Sequence, residues 1–126
     1  MLTIKPQEQQ QKKLETSYEI AAQAAYDKKS WDIVILDMEK SSMLADYFVI
    51  CSARNNRMAQ SIADNVEEEL EKNGYDVRHI EGYREGKWIL VDAGEVIVHI
   101  FDDKDRQYYD LENLWCDAPR LPFEGE

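Results

Sequence analysis

The sequence predicts an α/β (α+β) single domain, a mixed sheet of about five strands with helices packed on it, in the order αββαβββα. Three observations carry this expectation. Short apolar, β-branched runs are interspersed with stretches whose apolar residues recur every three to four positions. Two strand-like runs, a helix, three more strand-like runs and a final helix make a mixed or antiparallel sheet the natural architecture. A chain of 126 residues suits one domain, and two would be unusual.

Residues 1–13 precede the pattern. KPQEQQQKK (5–13) is polar and Gln-rich, and reads as a mobile leader or the frayed start of a helix. The domain proper is expected over residues 14–119. Leu14, Tyr18, Ala21 and Ala25 form an apolar stripe that predicts a helix over 14–28, with Lys28 and Lys29 suiting its C-terminal end. DIVILDM (32–38) and DYFVICS (46–52) read as strands buried on both faces. Met58, Ile62, Val66 and Leu70 step by four through a second helix, 55–73, which Asn73-Gly74 stops. Residues 76–81 form a short, more polar strand. KWILVD (87–92) and EVIVHIF (95–101) are strands joined by Ala93-Gly94. A single short helix is expected over 105–115, capped by Asp102, Asp103 or Asp105. Pro119 and Pro122 close the ordered part, leaving 120–126 as a C-terminal tail.

The formal net charge is −11, from 26 acidic and 15 basic residues. All of it falls in residues 64–126, which hold 18 acidic and 7 basic side chains. This argues against a wide electrostatic grip on nucleic acid, so no direct DNA binding is expected, and leaves room only for a local basic patch. It favours encounter with a basic protein, or serves solubility alone. No apolar run reaches the ~20 residues of a membrane span. Cys51 and Cys116 make no disulfide framework, and Cys51 is expected to pack as a small core residue. The N-terminus lacks an apolar signal core, so a reducing cytoplasm is the expected location.

Chemistry is mostly missing from the sequence. Gly82, Gly86 and Gly94 do not have phosphate-loop spacing. His79 and His99 lack ligands at metal spacing, and the calcium-loop match beginning at Asp103 fails at Tyr108 and Leu114. No cofactor and no metal are expected. Asp37, Asp46 and Asp92 are the candidates for a magnesium-dependent phosphoryl-transfer site, and each is better read as ending a strand or capping a turn.

The hairpin permits a sharper reading. With Ala93-Gly94 as a two-residue turn, Asp92 faces Glu95, Leu90 faces Ile97 and Trp88 faces His99. Alternation then puts Ile89, Val91, Val96, Val98 and Ile100 on a helix-covered core face. The opposite face carries Trp88, Leu90, Asp92, Glu95, Ile97, His99 and Phe101. It mixes large apolar groups with acids. It is either a partner surface or a face closed by another helix.

The segments ADYFVICSARN (45–55), SIADNVEEEL (61–70), EGYREGKWILVDAGEVIVHIF (81–101) and YYDLENLWCDAP (108–119) resemble the ribosomal silencing factor (RsfS), or Iojap-like, family across residues 14–119. The resemblance implies a nucleotidyltransferase-like fold without catalysis. It also implies binding to the large ribosomal subunit through ribosomal protein L-fourteen, which blocks small-subunit joining and represses translation. It allows a homodimer off the ribosome. The expected contact patch is Trp88, Leu90, Asp92, Glu95, Ile97 and His99, with Trp88 the anchor. Tyr109, Asp110, Glu112 and Trp115 match the family's tail and are expected to lock the last helix to the sheet, with Asp110 or Glu112 the alternative candidates to face the partner. The alternative is a metal-dependent nucleotidyltransferase-like enzyme. Such enzymes carry a Gly-Ser turn and then an Asp-x-Asp pair on a strand. Here there is no Gly-Ser, and the only Asp-x-Asp, Asp103–Asp105, lies beyond the last strand.

Overall fold

The computed structural model describes residues 16–125. Leu14 and the expected leader lie outside the described residues. The element order is α1 (Ser17–Asp27), β1 (Trp31–Asp37), β2 (Tyr47–Ala53), α2 (Asn56–Lys72), β3 (His79–Glu81), β4 (Trp88–Asp92), β5 (Val96–Asp102), α3 (Asp103–Tyr109), α4 (Leu111–Leu114) and β6 (Arg120–Leu121). The strands form one mixed sheet in the order β3-β4-β5-β2-β1-β6. Among the described strands only β2 and β5 run parallel, as their connection through a helix and a hairpin allows.

Local chemistry sets the helix ends. The Thr16 hydroxyl accepts from the Glu19 N–H at 3.2 Å to open α1. Asn55 Oδ1 accepts from Met58 N–H at 2.9 Å to open α2. At the end of α2, Gly74 adopts φ +90°, and the N–H groups of Gly74 and Tyr75 bond Glu71 O and Leu70 O. This closes the helix with a left-handed glycine, as Asn73-Gly74 predicts. Of the three expected acids, Asp102 caps α3 by accepting from Lys104 N–H at 3.2 Å.

α1 and α2 lie on one face of the sheet. Their buried residues, including Ala21, Ala25, Ile62, Val66 and Leu70, form one cluster with Ile89, Val91, Val96, Val98 and Ile100. The core face is the expected one. Cys51 is fully buried in the same cluster, and burial pushes its thiol up to about 11.

Four expectations are corrected. The last helix is two helices, broken at Asp110, which sits in the left-handed region at φ 47°. Residues 120–121, expected in a tail, form β6, and Ile35 pairs with Leu121 and Leu36 with Arg120. Among the described residues the sheet therefore has six strands. The hairpin register is shifted by two: Trp88 pairs with Phe101, Leu90 with His99 and Asp92 with Ile97. The turn tightens one step further on, where Ala93 N–H bonds Val96 O at 3.0 Å. A shift of two preserves the parity of alternation, so the face assignments survive it. Glu95 is the exception. It belongs to the turn, and its carboxylate accepts from the Ser17 hydroxyl of α1 at 2.6 Å, on the helix side.

Candidate functional site

The second face of the sheet has its own apolar cluster: Leu36, Met38, Ala45, Phe48, Ile50, Ile97, Phe101, Leu111 and Ala118, with Val34, Trp88, Leu90 and Trp115 packed against it. The C-terminal segment covers the β1–β2 half of this face. Leu111 is buried there, and the Trp115 ring meets Phe48 edge-on at 6.2 Å.

Arg106 fastens that cover. It is 7% exposed, and its guanidinium donates to Asp32 O at 2.6 Å and Ser52 Oγ at 2.8 Å. It also forks onto Glu112 at 3.1 and 2.7 Å. The Arg106 hydrogen bonds hold the Glu112 carboxyl below the usual carboxylate range. Asp32 can offer its carbonyl because the β1–β2 ladder slips between Trp31 and Val34, where Asp32 takes φ +51°. Of the tail residues expected to act as a lock, Tyr109, Glu112 and Trp115 do so through side chains, Tyr109 by its ring contacts with Trp88 and Phe101. Asp110 contributes a backbone bend instead. An open depression of about 410 Å³ lies beside this cover, lined by Asp110, Glu112, Asn113, Trp115, Cys116, Ala118 and Arg120.

The β3–β4 half of the second face stays open. Trp88 and Leu90 are half-buried, and Asp92 is half-buried at the turn end. Cross-strand pairing sets Glu81 beside Leu90 and His79 beside Asp92. His79 lies between two carboxylates, 3.0 Å from Glu81 and 3.8 Å from Asp92. Trp88 is held on several sides. Its ring stacks on Phe101 at 4.9 Å and meets Tyr109 of α3 at 4.7 Å, and its N–H donates to His99 Nδ1 at 3.1 Å. At the rim, Met43 and Leu44 project from the β1–β2 loop at 102% and 78% exposure. The loop's stems, Met38 and Ala45, are rooted in the second cluster.

The structure thus brings Trp88, Leu90 and Asp92 together on an open surface. Ile97 and His99 share their face but are buried, 7% and 4% exposed, and cannot touch a partner directly. Glu95 is off the face. The reading of the sequence missed Glu81 and His79, although alternation along 76–81 carried the signal. It also missed Arg106, which no spacing rule marks. Asp37 accepts from Glu39 N–H at 3.0 Å and Asp92 from Gly94 N–H at 2.9 Å, so both cap turns. No group of three or more His, Cys, Asp or Glu among the described residues could hold a metal ion.

Fold and site together define a small mixed α/β protein that presents an aromatic and acidic sheet surface. The chain belongs to the family described as ribosomal silencing factor during starvation (RsfS), which it matches over residues 10–126. The ribosomal silencing factor RsfS of Bacillus subtilis (strain 168) is 47% identical over 100 residues, which span 79% of this chain and 85% of that protein. The protein of the same name from Halalkalibacterium halodurans is 38% identical over 107 residues, 85% of this chain and 92% of that protein. A crystal structure of a protein from Chromobacterium violaceum superposes with a TM-score of 0.79 at 32% identity, covering 90% of this chain and 94% of that one.

Proposed function

We propose that this protein is a ribosomal silencing factor that works by occupancy. In this reading it docks on the large ribosomal subunit through ribosomal protein L-fourteen, keeps the small subunit away, and so represses translation in the cytoplasm. It makes and breaks no bond. The observation that supports this best is the half-open second face: a fixed tryptophan and a leucine beside the carboxylates of Glu81 and Asp92. Ribosomal proteins are usually basic, and an apolar anchor ringed by acids suits such a partner. Family membership points the same way.

The contact patch is Trp88, Leu90, Asp92 and Glu81, with Ile97 and His99 supporting it from beneath. Co-sedimentation with isolated large subunits, with and without added small subunits, tests the reading. Trp88→Ala is expected to weaken binding about thirtyfold or more. Val98→Ala on the core face is expected to lower the melting temperature and leave binding by the folded fraction intact. Wild-type binding by Trp88→Ala would remove the patch from the mechanism. If copies of the chain pair through the same face, Trp88→Ala should also shift the protein toward monomer, so melting is compared at matched, low concentration. The absence of a reaction is tested with Asp92→Asn, which should weaken binding. Nucleotide turnover in the purified protein that this change abolished would overturn the reading.

A further inference from the structure

His99 occupies an aromatic slot in which a histidine is a poor choice for stability alone. It is 4% exposed, with the Phe48 ring edge-on at 4.5 Å and the Phe101 ring parallel at 6.5 Å. Because Nδ1 accepts the Trp88 indole N–H, the imidazole proton sits on Nε2. That Nε2 is buried and has no hydrogen-bond partner among the described residues. A phenylalanine would fill such a slot without the unpaired Nε2–H, but it would take the acceptor away from the Trp88 indole. What histidine adds is a single thing, an acceptor for Trp88.

We infer that His99 is the positioning residue for Trp88: it takes up the indole N–H, fixes which edge of the ring faces outward, and presents the anchor to the partner with its one polar group already satisfied. The inference rests on the proposed role of Trp88 as the anchor. It also specifies the partner's surface at that point. A free indole N–H would have to shed water on docking and find an acceptor across the interface. Here none is needed, so the complementary spot is apolar or cationic, such as the stems and heads of Lys or Arg over the ring, and not a carbonyl or carboxylate. Burial supports the arrangement by holding His99 neutral, its pKa lowered to about 4, so that Nδ1 stays an acceptor.

Two substitutions separate positioning from packing. His99→Phe keeps a ring and removes the acceptor. His99→Asn loses the ring and keeps an acceptor oxygen where Nδ1 stood. Affinity for isolated large subunits is measured on the folded fraction, and solvent exchange of the Trp88 indole N–H is followed by proton–nitrogen NMR. His99→Phe should fold at least as stably as the wild type, speed the exchange, and bind about five- to tenfold more weakly. His99→Asn should be less stable, yet keep the protected N–H and bind within about twofold of wild type. A packing role alone gives the opposite order. The proposal is overturned if the wild-type Trp88 N–H exchanges as fast as that of exposed Trp31, a measurement that needs no variant. It is also overturned if His99→Phe binds like wild type while Trp88→Ala does not. Should Trp88→Ala itself bind like wild type, the anchor reading fails, and this inference with it.

Discussion

At His99 the cost of charging a buried ring sets a pH dependence. Burial lowers its pKa from the ordinary 6.5 to about 4. Between those values the unfolded chain binds more protons than the folded one, so stability falls as pH drops through that window. The ceiling on this contribution is about 3 kcal/mol. Denaturation midpoints measured from about pH 7 to about pH 4 should decline, and His99→Phe should flatten the decline. Equal slopes in both proteins would place the titration elsewhere. Glu112 acts lower on the scale. Its depressed pKa makes its stabilisation present above the ordinary carboxylate range and lost as pH falls through the depressed value. Its partner is the more telling residue to change. Arg106→Met removes the bonds to Asp32, Ser52 and Glu112 at once and leaves the Glu112 carboxylate half-buried without its cation. A loss of about 2–4 kcal/mol is expected from chemical denaturation. Trp88 is less independent of the fold than a surface anchor would be. Trp88→Ala strips a ring from Phe101 and Tyr109 and leaves Nδ1 of His99 unpaired, so it should cost stability as well as binding.

Among the elements, α3 and α4 divide at a residue that pays a conformational penalty. Asp110 holds φ 47° without a side-chain capping bond at α4. Asp110→Gly should be neutral or stabilise by up to about 1 kcal/mol, whereas Asp110→Val should destabilise by about 1–2 kcal/mol. Thermal melts of the two variants moving together would contradict the backbone explanation. The same break shows why this part was hard to read from sequence: the apolar spacing of 105–115 suits one helix, and an aspartate carries no obligatory signal of a left-handed turn. β6 was hidden for a related reason. Two residues framed by Pro119 and Pro122 look like a tail, yet the end of a sheet tolerates proline because the ladder needs no donor on its outer side. The helix-covered face was legible because alternation in β4 and β5 is strict. Alternation says which side chains share a face and nothing about what covers that face. His99 and Ile97 were therefore assigned to contact, and the segment that closes over their side of the sheet comes from elsewhere in the chain.

For the whole molecule the uneven charge is the main long-range feature. With the net charge of −11 confined to residues 64–126, association with large subunits should slow as salt rises, while dissociation changes less. An association rate that is flat between low and physiological salt would remove steering from the mechanism. The sheet order gives the molecule a second global property. β2 pairs with β5 across residues 54–95, about forty positions that hold α2, β3 and β4, and β1 waits for β6 at the far end of the described chain. Contacts of such long sequence separation make folding slower than in a helical bundle. The Tyr109 ring that steadies Trp88, and the Arg106 bonds that close the second face, come from residues made after every strand but the last. During synthesis the first face can form against α1 and α2 while the second still lacks its cover. The surface proposed for docking is then among the later parts of the protein to mature, and a half-made chain does not yet hold Trp88 in place.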